Sequence, residues 1–168
     1  EDSNDNGIRV VSSVNDSVKK NKVSGADESG VSVESSVSAV IAKNAVAVSG
    51  QDGISVNDSN GAKIFENNVV DSEDDGIDVQ DGQNIEINRN IVDASGDNGI
   101  YVNEGFLVDV KKNTVKSSED DGIQVANTIG TNINNNNVTF SGDDGIDVEN
   151  SFGVDIKRNQ VEQSDDNG

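Results

Sequence analysis

Apolar residues recur along the chain with a period of 23 residues, and no insertion or deletion breaks the period. Ile or Val follows a glycine once in each period, at Ile8, Val31, Ile54, Ile77, Ile100, Ile123 and Ile146. With that residue as position 0, position +2 is always Val, position +10 is Ile or Val, and position +15 is always Val. Pairs of β-branched residues two apart predict short, half-buried strands, and no window has the spacing of a helix.

The fixed period predicts an all-β solenoid, in which each repeat buries its apolar side by stacking on its neighbours. We expect a right-handed single-stranded parallel β-helix of seven 23-residue coils with three short strands per coil. The strands are predicted from position 0 to +3, from +8 to +11 and from +14 to +16. Successive coils would lie about 4.8 Å apart.

Position +13 is Asn in every coil, which predicts a structural Asn ladder. Asn also tolerates the left-handed backbone that a sharp corner needs. The row consists of Asn21, Asn44, Asn67, Asn90, Asn113, Asn136 and Asn159. Phe106 and Phe152, both at position +6, are expected to plug a corner.

These motifs, Gly-Ile-x-Val followed by Val-x-Ile-x-x-Asn-x-Val, resemble the right-handed parallel β-helix of the pectate-lyase-like superfamily. The resemblance covers residues 1–168. It implies the fold, and it is weak for function because the superfamily includes lyases, hydrolases, epimerases, phage tailspikes and adhesins.

The chain contains no Cys, His, Met, Trp or Pro, which excludes disulfides and thiolate metal sites. No membrane-spanning segment is apparent, and we expect no membrane insertion. No capping segment is visible at either end. We therefore interpret residues 1–168 as a single uncapped β-helix segment, part of a longer repeat protein or of an end-to-end assembly.

The net charge is −20, with 32 acidic and 12 basic residues, which argues against nucleic-acid binding. Acidic residues concentrate just before the glycine that precedes position 0, often as Ser-x-Asp-Asp-Gly, whereas positions +11 and +12 hold most of the basic residues. The acidic edge has two interpretations. Asp residues before Gly form turns, and stacked carboxylates are also calcium ligands. Calcium is the one cofactor that the sequence suggests. The candidate metal ligands are Asp74, Asp75, Asp97, Asp120, Asp121, Asp143 and Asp144.

One resemblance favours an enzyme. Residues 142–146 look like the Gly-Asp-Asp segment of polygalacturonases, and residues 75–78 look like their Asn-Thr-Asp-Gly-Ile-Asp segment. The resemblance implies acid–base roles for Asp75, Asp78, Asp143 and Asp144. Against it, the His-Gly motif of that family has no counterpart, since the chain has no His.

The sequence therefore leads us to expect a non-enzymatic structural solenoid of an extracellular or cell-surface fibre, stalk or adhesin. It would be calcium-stabilised and would associate with copies of itself, end to end or side by side. The alternative is a polysaccharide-active or polysaccharide-binding β-helix related to polygalacturonases, lyases or epimerases.

Overall fold

The computed structural model describes residues 5–168 and contains three parallel sheets of seven strands each. The first sheet consists of β1 (Ile8–Val11), β4 (Val31–Glu34), β7 (Ile54–Asn57), β10 (Ile77–Gln80), β13 (Ile100–Asn103), β16 (Ile123–Ala126) and β19 (Ile146–Glu149). The second sheet consists of β2 (Ser17–Lys19), β5 (Val40–Ala42), β8 (Lys63–Phe65), β11 (Glu86–Asn88), β14 (Asp109–Lys111), β17 (Asn132–Asn134) and β20 (Asp155–Lys157). The third sheet consists of β3 (Lys22–Ala26), β6 (Ala45–Ser49), β9 (Asn68–Ser72), β12 (Ile91–Ser95), β15 (Thr114–Ser118), β18 (Asn137–Ser141) and β21 (Gln160–Glu162).

Each strand pairs with the strand one coil away, in register and in parallel, as Ile77 pairs with Ile54 on one side and Ile100 on the other. The predicted all-β parallel solenoid of seven coils is therefore confirmed. In the part of the chain that the structure describes, no helix is long and apolar enough to cross a membrane.

The core is a narrow column of Val and Ile. Ile77, Val79, Ile87 and Val92 supply it in one coil, and each of them is fully buried. Inward and outward side chains alternate along each strand, so the residue between Ile77 and Val79 starts from the outer face of the first sheet. This alternation presents a row of polar side chains outside the core.

The third strand is longer than predicted and reaches position +18, where Ser95 pairs with Ser118. Its serine packs against the glycine that precedes position 0 of the same coil. A Cβ on Gly76 would lie 2.8 Å from Ser95 Oγ and 2.1 Å from Val92 Cγ1. Glycine is therefore required there by close packing between coils.

Left-handed backbone marks the corners, but not at the Asn row as we predicted. The residue before each Asn adopts it, as in Arg89 with φ 56° and Lys112 with φ 55°. The physical reason is that a left-handed residue at position +12 turns its own side chain towards solvent and directs the next one, Asn90 or Asn113, into the core.

The expectation that Phe106 and Phe152 plug a corner is wrong. Both side chains are exposed, Phe106 by 45% and Phe152 by 75%. Position +6 forms a further column of parallel bridges, from Val14 to Phe152, whose side chains point away from the core. Val and Ile at the other positions already fill the narrow interior, so no room is left for a phenyl ring.

Candidate functional site

A group of carboxyl side chains lies on the outer side of the first sheet, around β10. Asp78 leaves β10 at its outward position, between Ser55 of β7 and Tyr101 of β13. Asp75 precedes the same strand by two residues, and Asp52 occupies the equivalent position one coil earlier. Asp78 is only 5% exposed and Asp75 only 8%, although both belong to a solvent-facing edge.

Hydrogen bonds hold the position of each carboxylate. Asp75 Oδ1 accepts a bond from the backbone N–H of Asn98 at 2.9 Å. Asp78 Oδ2 accepts bonds from Ser55 Oγ at 3.4 Å and from Gln80 Nε2 at 3.3 Å. These contacts fix both side chains before any ligand arrives.

The pKa of Asp75 is raised to about 7, chiefly by burial, with the hydrogen bond from Asn98 opposing the shift and the charges of Asp52 and Asp78 adding to it. Burial likewise raises the pKa of Asp78 to about 7, with a contribution from the charge of Asp52. Burial also raises the pKa of Asp52, to about 6. The pKa of the neighbouring Tyr101 is raised by burial and by the charges of Asp75 and Asp78. Near neutral pH, Asp75 and Asp78 can each hold or release a proton.

A second group lies two coils further along the same face. Gln124 Nε2 donates to Asp121 Oδ2 at 3.0 Å and to Asp147 Oδ2 at 3.4 Å. Burial raises the pKa of Asp121 to about 6, and the charges of Asp147, Asp144 and Asp143 add to the shift. The first sheet therefore carries acidic side chains along much of its length.

The residues suggested by the polygalacturonase resemblance separate into two places. Asp75 and Asp78 lie together, whereas Asp143 and Asp144 lie three coils away, about 14 Å along the rod. Two carboxyls that share one glycosidic bond stand roughly 5–9.5 Å apart. Asp143 is also exposed. The four residues therefore do not form one catalytic centre.

The candidate metal ligands form two different columns. Asp74, Asp97, Asp120 and Asp143 are exposed. Asp75, Asp121 and Asp144 belong to an inner row in which each Oδ1 accepts the backbone N–H of the next coil, as in Asp144 N–H to Asp121 Oδ1 at 2.8 Å. Within residues 5–168, no three acidic side chains are grouped so that they would hold a metal ion. Calcium binding stays a prediction.

The Asn row forms a continuous chain of hydrogen bonds inside the corner. Asn90 Nδ2 donates to Asn113 Oδ1 at 3.1 Å and to the carbonyl of Ile64 at 2.9 Å. Asn90 Oδ1 accepts from both the backbone N–H and Nδ2 of Asn67, each at 3.0 Å. These amides bond only within the protein and are 1–2% exposed in the central coils, so they contribute nothing to the outer face.

Sequence reasoning missed Asp52 and Tyr101 as neighbours of Asp75 and Asp78. Asp52 shares its position in the repeat with Asp75, so the 23-residue period alone would have predicted that the two residues are neighbours. Tyr101 is the one aromatic residue in the strands of the first sheet, and its place directly above Asp78 follows from the register.

Comparison with known families decides the fold group. The model of the family described as "Right handed beta helix region" matches residues 1–137 and 98–168. The chain belongs to the right-handed β-helix family. No curated protein sequence matches the chain.

Solved structures share the fold at low sequence identity. The periplasmic alginate epimerase AlgG is 16% identical with a TM-score of 0.81, over 96% of this β-helix chain and 47% of AlgG. The A-module of the Azotobacter vinelandii mannuronan C-5 epimerase AlgE4 is 14% identical with a TM-score of 0.70, over 97% and 54%. Tailspike protein 2 from an Escherichia coli bacteriophage is 15% identical with a TM-score of 0.63, over 76% and 20%. The β-helix chain thus spans about half or less of these proteins.

These neighbours overturn our prediction of a non-enzymatic fibre, stalk or adhesin. Two of them are named as epimerases of polysaccharides, and the active part of the tailspike is named as an enzymatically active domain. The prediction rested on the repetition of Asp-Asp-Gly, which favoured turns or calcium ligands over a unique site, and on the absence of the His-Gly motif. The same text also places Asp75 beside Asp78 with a raised pKa.

Proposed function

We propose that this β-helix belongs to a polysaccharide-active protein and that its chemistry takes place on the outer side of the first sheet. Asp75 and Asp78 are the acid–base pair. The observation that carries the proposal is the burial of these two neighbouring carboxyls, which brings the pKa of each to about 7. A group that transfers protons works best when its pKa is close to the operating pH.

Other features of the face support this role. Asp75 and Asp78 interact electrostatically, so ionisation of one disfavours ionisation of the other. With both pKa values near 7, each carboxyl can hold or release a proton near neutral pH, and acid–base chemistry at a sugar uses one group in each role. Tyr101 adds a phenol at the next rung, next to Asp78.

The same comparison supports a proposal for the location. AlgG is named as periplasmic and the tailspike belongs to a phage particle, which supports a place outside the cytoplasm for this protein too. A polysaccharide is the partner that we propose. Association with further copies of the chain stays a prediction, and sedimentation velocity at low and high salt tests it.

The proposal is tested by incubating the full chain with charged and uncharged polysaccharides. Reducing ends, unsaturated sugars and changes at C5 are measured, the last by NMR. Asp75→Asn and Asp78→Asn are expected to lower turnover at least a hundredfold, because removal of one general acid or base typically costs about 10²–10⁴. Asp75→Asn preserves the fold, since Asn98 already occupies the same row and its Oδ1 accepts from Asp121 N–H at 3.2 Å.

Asp74→Asn is the matched control, because Asp74 is adjacent in sequence but exposed. Its turnover should equal that of the unmodified chain. If the chain neither turns over nor binds any polysaccharide in the panel, the proposal is wrong. If Asp74→Asn lowers turnover as much as Asp75→Asn, the assignment of the pair is wrong.

A further inference from the structure

The first sheet is nearly free of cations. Among its strands in the described residues, Arg9 is the one Lys or Arg, and it lies in β1 at one end of the rod. Its Nη2 is 2.8 Å from Glu34 Oε2, so its charge is already paired. The second residue of each other strand in this sheet also points outward, and these residues are Ser32, Ser55, Asp78, Tyr101, Gln124 and Asp147.

This charge pattern selects against a polyuronate. Such a polymer carries a carboxylate on every sugar, and proteins recognise carboxylates with Arg or Lys. On the first sheet each of these carboxylates would lose water without gaining a cation, and would be repelled by the acidic groups already there. The basic residues lie elsewhere on the rod. Lys111 of β14 and Lys157 of β20 belong to the second sheet and pair with Asp109 and Asp155.

An apolar strip runs beside the C-terminal half of the first sheet, next to β13, β16 and β19. We define it as Phe106, Leu107, Ile129 and Phe152, which are 45–75% exposed. Phe106, Ile129 and Phe152 are joined in one column of parallel bridges. Gly130 and Gly153 follow the last two with left-handed backbone and no side chain, which leaves the strip open.

The strip is suited to bind the apolar face of a sugar ring. The C–H faces of sugar rings are apolar and pack on exposed aromatic rings, whose area would otherwise face water. Phe106 and Phe152 are two rungs apart, about 10 Å, a span comparable with two sugar units of an extended chain. The strip begins three residues after β13, the strand that carries Tyr101.

We infer that the polysaccharide is an uncharged one, lying along the rod with its hydroxyls on the polar groups of the first sheet and its ring faces on the apolar strip. The inference rests on the proposed function and narrows its substrate class. Two independent features carry it: the missing cations on the sheet and the exposed apolar side chains beside it.

The test is affinity gel electrophoresis of the full chain in soluble mannan, β-glucan and galactan, and in alginate and polygalacturonate. At least one of the three uncharged polymers should retard the chain. A Phe106→Ala/Phe152→Ala variant should weaken that retardation at least tenfold. Phe140→Ala is the matched control, because Phe140 is 54% exposed within β18 of the third sheet, away from the strip. It should bind as the unmodified chain does.

A Lys111→Gln/Lys112→Gln/Lys157→Gln/Arg158→Gln variant separates binding on the first sheet from binding on the basic edge. Polyuronate retardation that persists in this variant overturns the inference and leaves the proposed function standing. Retardation by an uncharged polymer that survives the double Phe variant also overturns it. So does sedimentation showing that the strip instead joins two copies of the chain. Absence of binding and turnover with every polymer removes the proposed function itself.

Discussion

Replacing Asn90 by Ala tests whether the Asn row holds the coils together. Asn90 makes side-chain bonds to three neighbours: Asn67 in the preceding coil, Asn113 in the following coil, and the carbonyl of Ile64. The change removes the acceptor of the Asn67 backbone N–H and the Asn90 donor to the Ile64 carbonyl. Both groups lie in a part of the fold where Asn67 and Ile64 are at most 2% exposed.

A buried polar group left without a partner costs about 1–3 kcal/mol. Two such groups give an expected loss of about 2–6 kcal/mol in the free energy of unfolding. The remaining bonds limit further loss, because Asn113 Oδ1 still accepts the backbone N–H of residue 90 at 2.9 Å. A change of this size is a large share of the stability of a chain this long.

The measurement is urea unfolding followed by far-ultraviolet circular dichroism. Asn68→Ala provides a matched control, since it removes the same kind of side chain from the preceding coil at an exposed position of β9. Its effect should stay within about 0.5 kcal/mol. Equal shifts for Asn90→Ala and Asn68→Ala would refute the structural role of the row.

Three further predictions concern other parts of the rod. Asp75→Asn should raise the melting temperature by a few degrees at about pH 8 and change it little at about pH 4. The reason is that the pKa of this carboxyl is raised from 3.8 to about 7 in the folded chain, so its ionisation costs stability as the pH rises between these values. A variant with the same pH dependence as the unmodified chain would contradict this. Gly76→Ala should destabilise by roughly 1–3 kcal/mol or more in thermal unfolding, because a new Cβ would lie 2.1 Å from Val92 Cγ1. The loss should exceed that of Gly61→Ala, where the new Cβ meets no neighbour closer than 3.5 Å and the cost comes from the left-handed backbone (φ 72°) alone; the reverse order would show that the coils can separate. Calcium at millimolar levels should raise the melting temperature beyond sodium chloride of equal ionic strength if the column of Asp74, Asp97 and Asp120 binds it, and coincident curves would exclude such binding.

The sequence predicted the fold well because the signal is repeated in every coil. One coil alone offers a few Val and Ile residues, whereas seven aligned coils show which positions face inward. The limits of the third strand were missed, because Ser at position +18 is polar yet buried against glycine. The left-handed residues were also misplaced, since Arg89 and Lys112 have no intrinsic preference for that backbone and adopt it because their neighbours require it.

The candidate site could be predicted only in part from the sequence. Asp75 and Asp78 stood out through a family resemblance, but the repetition of Asp-Asp-Gly argued for a turn. What distinguishes Asp75 from the exposed Asp74 is its burial, together with a hydrogen bond from Asn98 and the charge of Asp52 in the adjacent coils. Such environments arise from stacking, and a linear sequence shows them only when the register is known.

The unbroken 23-residue register constrains how this surface can evolve. Outward groups in one column are separated by whole rungs, so duplication or loss of a coil moves every downstream group by a full step of about 4.8 Å. Intermediate adjustments must come from the length of a side chain, as when Gln124 spans the gap between Asp121 and Asp147. A lineage of such proteins would therefore change the length of this surface in discrete increments, while the arrangement of side chains at any one rung is kept.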